Sequence, residues 1–216
     1  MMNRQRRTVL SKDQVGEVIH LLAESYPDAE CALVHRSVWE LIVAVALSAQ
    51  TTDVSVNSVT PELFRRWPSP AALAGARQEE VQEVIRKIGM YRTKSANIIR
   101  LAQKILEDHD GEVPQDFVAL VALPGVGRKT ANVVLSVGFG EARIAVDTHV
   151  FRVSNRIGLC HEPDVLKTEE ALMRRIPKTL WSAAHHYLIR HGRMVCHARK
   201  PDCEGCVVNE FCLYLK

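Results

Sequence analysis

Apolar positions recur three and four residues apart along nearly the whole chain. Val15, Val18, Ile19 and Leu22 form one such stripe, and Val81, Val84, Ile85 and Ile88 form another. This spacing places them on one face of an α-helix, and alternation of strand length is scarce, so the pattern predicts an all-α protein. Breakers at residues 26–28, 67–70, 89, 111–114, 123–127, 138–140 and 158 divide the chain into roughly ten short helices. Short helices joined by short links predict a compact orthogonal bundle and not a coiled coil. No repeat, low-complexity tract or flexible linker marks a domain boundary.

With 216 residues, 47% of them hydrophobic, the chain can bury a core that needs no staples. The longest apolar run, residues 38–49, contains Glu40 and falls short of the roughly 20 residues a bilayer demands, so it reads as a buried helix. The basic stretch at residues 3–7 leads into polar residues and not into the apolar core of an export signal. The expectation is a soluble cytoplasmic protein with no membrane partner, nucleoid-associated if bacterial. The net charge of +3 is placed unevenly. Residues 85–106 hold six basic side chains (Arg86, Lys87, Arg92, Lys94, Arg100, Lys104) and no acid. Residues 171–201 hold seven (Arg174, Arg175, Lys178, Arg190, Arg193, Arg199, Lys200), again with no acid. One such run is ordinarily a solvated helix face, but two together point to a polyanionic partner.

Four of the six cysteines fall in the last 21 residues: Cys196, Cys203, Cys206 and Cys212, with six, two and five residues between them. A disulfide scaffold would distribute its cysteines, so the clustering indicates metal. Four thiolates can hold a tetrahedral zinc ion or a [4Fe–4S] cube. Zinc favours two knuckles with two residues between the cysteines, and only Cys203 and Cys206 make one. The uneven spacing suits a cube with separated corner irons better, with zinc as the alternative. Pinning the ends of the first loop would present Arg199 and Lys200 as a basic knob for a phosphate. The centre is expected to be mainly structural, and Cys31 and Cys160 are expected to be small buried hydrophobes.

Residues 120–135 read Leu-Val-Ala-Leu-Pro-Gly-Val-Gly-Arg-Lys-Thr-Ala-Asn-Val-Val-Leu, a helix, a stop at Pro124, two glycines around a valine, and a second apolar helix. Gly125 and Gly127 would allow a tight hairpin that aims amide donors at a phosphate oxygen, although a plain helix–helix turn would leave the same trace. Two nucleotide-binding motifs fail here. Arg128 separates Gly127 from Lys129 and Ala122 stands where a P-loop needs its first glycine. Thr130 occupies the third glycine of a dinucleotide fingerprint, and no strand precedes the turn.

The hairpin over residues 123–134, the segment Ala145-Val146-Asp147-Thr148-His149-Val150 and the cysteine spacing together resemble the endonuclease III family of the helix-hairpin-helix glycosylase superfamily. Residues 47–53 (Leu-Ser-Ala-Gln-Thr-Thr-Asp), 88–91 (Ile-Gly-Met-Tyr), 111–114 (Gly-Glu-Val-Pro) and 191–193 (His-Gly-Arg) fit the same family, so the resemblance runs from about residue 30 to 212. It implies a six-helix barrel domain over residues 31–141, with the helix-hairpin-helix at about 118–138. It also implies a [4Fe–4S] cluster domain made from residues 1–30 and 142–216, with DNA in the cleft between them. The implied activity is that of a bifunctional DNA glycosylase and abasic-site lyase, acting as a monomer on double-stranded DNA that carries a damaged pyrimidine or an abasic site.

By the same resemblance Lys129 is the nucleophile and Asp147 its catalytic partner, while Cys196, Cys203, Cys206 and Cys212 hold the cluster. A free lysine is neutral in only about one molecule in a thousand at pH 7.4, so an attacking amine needs help from burial or from the positive end of a helix. The hairpin would put Gly125, Val126, Gly127, Arg128 and Thr130 against the DNA, and the basic knob adds Arg199 and Lys200 as expected contacts. Gln50 matches a residue that fills the gap left by an extruded nucleotide. Met90 stands where an apolar wedge is often leucine. The plain readings are core packing for Met90, a helix-end hydrogen bond for Gln50, a solvated lysine and an N-cap aspartate.

Three rivals fit less of the chain. The adenine-mismatch glycosylase branch typically lacks a lysine at the position of Lys129. A non-catalytic hairpin module needs neither Lys129 nor Asp147. An electron-transfer protein leaves the basic runs unexplained.

Overall fold

The computed structural model describes residues 9–215, and the basic stretch at residues 3–7 lies outside them. Among the described residues there is no strand, and twelve α-helices account for nearly all regular structure. The chain divides into two compact units: one is Cys31–Glu141, and the other joins the segment ending at Glu30 to the chain from Ala142 onward.

The second of these begins with α1 (Lys12–Ser25). Ser11 and Gln14 form a reciprocal capping box at its start, a device that contributes about 1 kcal/mol to a helix end. The apolar stripe Val15, Val18, Ile19, Leu22 read from the sequence is its buried face.

Unit 31–141 contains α2 (Val38–Leu47), α3 (Asp53–Asn57), α4 (Thr60–Arg66), α5 (Pro70–Ala74), α6 (Gln78–Ile85), α7 (Tyr91–His109), α8 (Phe117–Ala122) and α9 (Arg128–Val133). The apolar run at residues 38–49 supplies α2, whose side chains from Trp39 to Val45 are all buried. Its one acid, Glu40, accepts from Arg36 Nη2 at 2.6 Å and from the Arg36 backbone amide at 2.7 Å, so the carboxylate enters the interior with its charge answered. The long α7 packs against α2, α5 and α6. A single π-helical turn, Val134–Gly138, continues α9 and packs on α2.

The other unit is completed by α10 (Thr148–Ile157), α11 (Val165–Arg175), a 3-10 turn at Lys178–Leu180 and α12 (Trp181–Met194). Its core brings Val15, Ile19 and Leu22 of α1 together with Val150 and Val153 of α10, Leu172 of α11, Leu188 of α12 and Val208 from the cysteine-rich end. Two backbone bonds tie both ends of the chain to one corner: Leu10 N donates to Gly158 O and Leu213 N to Ile157 O, each at 3.0 Å. Gly158 ends α10 at φ +95°, and a side chain there would collide with Leu213.

Cys160 is buried as expected, and burial pushes its thiol up to about 12. Cys31 is only half-buried, so the reading of it as a core hydrophobe does not hold. Among the described residues no helix is long and apolar enough to cross a membrane.

Candidate active site and metal centre

The hairpin is built by α8 and α9. Asp116 caps α8, its Oδ1 accepting from Ala119 N at 2.8 Å. Leu123 N then closes on Leu120 O and Val126 N on Leu123 O, both at 3.1 Å. The two glycines differ. Gly125 has φ +77°, and a Cβ there would come within 3.3 Å of Asn97 Cβ on α7, so both conformation and space demand glycine. Gly127 is extended at φ −96°, and a Cβ there would meet nothing, which corrects the expectation that both glycines serve the turn's geometry. The protein needs no glycine at 127, and the space in front of it is open.

Val126 lies between the two glycines. Its side chain is buried and its amide is committed to Leu123 O, so it anchors the turn. The donors that remain belong to the first turn of α9, formed by Arg128, Lys129 and Thr130, which no side chain caps. Helix geometry leaves those amides without intrahelical partners and puts the positive end of the helix dipole among them. Arg128 lies over the Phe117 ring, with Cζ 5.0 Å from its centroid. Lys129 is exposed and makes no hydrogen bond or ion pair among the described residues. The burial expected of this side chain is therefore absent, and what the structure gives it is a place in the first turn of an uncapped helix.

Asp147 lies in the other unit as the N-cap of α10. His149 N and Val150 N both donate to Oδ1 at 2.8 Å. Oδ2 has no partner among the described residues, so one oxygen fixes the carboxylate while its twin remains available for chemistry.

Gln50 and Met90 share a feature with each other and with Lys200: all three have left-handed backbones, at φ 53°, 56° and 52°. Non-glycine residues adopt this conformation at a cost, and only where the surroundings impose it. Gln50 is exposed in the turn after α2, and Met90, 50% exposed, is the uncapped residue before α7. Core packing does not account for Met90. Lys94, counted above among surface charges, is buried to 5% exposure and donates through Nζ to Thr51 Oγ1, while its backbone N donates to Met90 O at 2.9 Å. One side chain thus braces the turn holding Gln50 against the helix start that follows Met90. Burial lowers the Lys94 pKa.

The four clustered cysteines line one small cavity, together with His191 and Arg156. Among the described residues no three His, Cys, Asp or Glu side chains gather tightly enough to hold a single metal ion. Four cysteine sulfurs around one cavity are the donor set that a [4Fe–4S] cube takes. Burial raises the thiols of Cys206 and Cys212, a penalty that coordination of the thiolates would offset. Two arginines of α10, not singled out in the sequence, hold the first cysteine loop. Arg152 Nε donates to Cys196 O at 3.1 Å, and Arg156 donates to His197 O at 2.6 Å and Ala198 O at 2.9 Å. Arg199 and Lys200 stand exposed on the loop so fixed. Tyr26 was also missed, and His191 was read only as part of the segment 191–193. Burial lowers the His191 pKa to about 4. The only sequence signal for the arginines was their helical spacing of four within α10.

The comparisons with known proteins agree with one another. The family model described as "HhH-GPD superfamily base excision DNA repair protein" matches residues 43–178, and that of the "Iron-sulfur binding domain of endonuclease III" matches residues 196–212. The chain is 50% identical to endonuclease III of Bacillus subtilis over 94% of each chain. It is 47% identical to endonuclease III of Escherichia coli over 95% of this chain and 97% of the other. Among solved structures it is similar to a trapped endonuclease III–DNA covalent intermediate, with a TM-score of 0.91 and 47% identity, covering 95% of this chain and 97% of that one. A thermostable thymine-DNA glycosylase, with a TM-score of 0.85 at 22% identity, shares the fold.

Proposed function

The chain belongs to the endonuclease III family of helix-hairpin-helix base-excision DNA repair proteins, and on that premise we propose that Lys129 and Asp147 carry its reaction and that oxidised pyrimidines are its substrates. Family membership makes it a DNA glycosylase and abasic-site lyase with a [4Fe–4S] cluster. The observation that supports Lys129 is its placement: an exposed amine, without a partner among the described residues, in the first turn of the uncapped α9.

The target nucleotide leaves the base stack, because its sugar C1′ is out of reach within it. The neutral Lys129 amine attacks C1′ and the bond from C1′ to the base breaks, the base leaving with a proton. Positive character on the sugar is answered by the Asp147 carboxylate, whose Oδ2 can also pass the proton. Opening of the sugar gives an iminium between Lys129 Nζ and C1′. Loss of a C2′ proton then expels the 3′ phosphate, which nicks the strand.

The amides of the first turn of α9, with Gly127 leaving room before them, are the proposed grip on the backbone phosphate. Gln50 and Met90 are proposed to enter the stack where the nucleotide has left, and Arg199 and Lys200 to contact phosphates. The proposed working form is a monomer on duplex DNA, cytoplasmic and nucleoid-associated in a bacterium. Borohydride added during turnover on a duplex containing an oxidised pyrimidine should trap a covalent protein–DNA adduct. Lys129→Ala should abolish that adduct while leaving DNA affinity largely intact; an undiminished adduct would reject the assignment.

A further inference from the structure

Outside the reaction described above, the least expected feature is a line of three side chains, centred on the buried His191, that ends on a cysteine of the iron–sulfur site. Tyr26 closes α1, and its hydroxyl lies 3.0 Å from His191 Nδ1. On the other side of the ring, His191 Nε2 lies 3.6 Å from Cys206 Sγ. The two rings meet at 59° with centroids 5.9 Å apart. His191 is 1% exposed and lines the cysteine cavity, so neither ring nitrogen can turn to bulk water. The same residue reaches a second ligand through its backbone: His191 O accepts from Cys196 N and from Val195 N, both at 2.9 Å.

The inventory of donors and acceptors gives the line one direction. A cysteine sulfur bound to iron has no proton, so Cys206 Sγ can only accept. Nε2 must then carry the hydrogen, which leaves Nδ1 bare and in need of a donor. Tyr26 O–H is that donor. Each partner fixes the state of the next, much as an outer hydrogen bond fixes the tautomer of a metal-binding histidine.

We propose that Tyr26 and His191 form a directed hydrogen-bond relay that donates to the Cys206 ligand and sets the reduction potential of the cluster. Both act as positioning residues: neither touches DNA or the reacting atoms, and the relay does not depend on the assignment of Lys129. A donor on a cluster sulfur withdraws electron density and favours the reduced state, so losing it makes the potential more negative. Tyr26→Phe keeps the ring in its packing and removes only the donor. His191 can then turn to its other tautomer, with Nε2 bare and facing sulfur.

The test is voltammetry of the cluster-loaded protein without DNA, in which the electrode supplies and removes one electron. Tyr26→Phe is expected to shift the midpoint potential negative, His191→Leu to shift it further, and His191→Gln, which retains an N–H donor, to recover part of the difference. Base excision should be unchanged in Tyr26→Phe. Should His191→Leu fail to retain iron, Tyr26→Phe and His191→Gln alone decide. Potentials for these variants equal to that of the parent, with cluster absorbance intact, would overturn the relay.

Discussion

Lys94 shows what a charge count conceals. It sits in an acid-free run beside Arg92, yet Arg92 is exposed and Lys94 is buried with its ammonium on a threonine hydroxyl. A desolvated cation with one neutral partner is a burden on stability, because burial disfavours the charged form. A lysine whose folded pKa lies below its unfolded value weighs on the fold while charged, and the burden is relieved as pH rises through the folded pKa towards the ordinary lysine value of 10.5. Lys94→Met keeps most of the volume without the charge. It should leave thermal stability unchanged or raised near neutral pH, with the parent gaining on it as the solution becomes alkaline. Lys94→Ala removes the stem as well and should cost on the order of 2 kcal/mol in denaturant unfolding. If Lys94→Met were as unstable as Lys94→Ala, the Thr51 bond would outweigh the desolvation. The position was partly legible: Lys94 precedes Ile98, Leu101 and Ile105 by four, seven and eleven residues, which is the buried stripe of α7. The Thr51 partner was not, since 43 residues separate the two and no local pattern connects them.

At the scale of elements, the hairpin separates two glycines that look equivalent in the sequence. Gly125→Ala puts a side chain into a left-handed residue against Asn97 and should cost about 1 kcal/mol or more in unfolding. Gly127→Ala meets nothing in the protein, so melting should hardly change, while affinity for duplex DNA should fall because the methyl group fills the proposed phosphate approach. Equal loss of stability in the two variants would show that position 127 also serves the fold. The cap of α10 allows a similar separation. Asparagine caps helices as well as aspartate, so Asp147→Asn should melt within a few tenths of a kcal/mol of the parent and still lose most base excision. Asp147→Ala should lose excision and about 1 kcal/mol of stability. Normal excision by the asparagine variant would leave Asp147 as a cap alone. The all-α class was legible because a period of 3.6 persists over helices such as α1, α6 and α7. The five-residue helices α3 and α5 are too short to show a period, so breakers alone gave a coarser division than the twelve found.

At the scale of the whole molecule, iron and fold are coupled in one unit. That unit's core includes Val208 and Cys212 from the cysteine-rich end, beside Val15, Ile19 and Leu22 near the start of the chain. Arg152 and Arg156 hold the first cysteine loop to α10, and the Leu213 amide bonds to Ile157 at the C-terminal end of that helix. A bound cluster would therefore restrain both the cysteine loops and the helix whose first residue follows Asp147. Iron removal should free the four sulfurs, whose buried thiols are raised by desolvation in Cys206 and Cys212, and loosen the short turns between them. Hydrogen exchange after chelation is expected to rise first over residues 195–215 and then along α10. The amides of α7, in the separate unit 31–141, should hold their protection, because that unit has its own core around Leu41, Ile98 and Leu101. A uniform rise across both units would mean that they unfold as one cooperative body. Unchanged exchange in α10 would mean that the arginine braces alone fix the helix carrying the Asp147 cap.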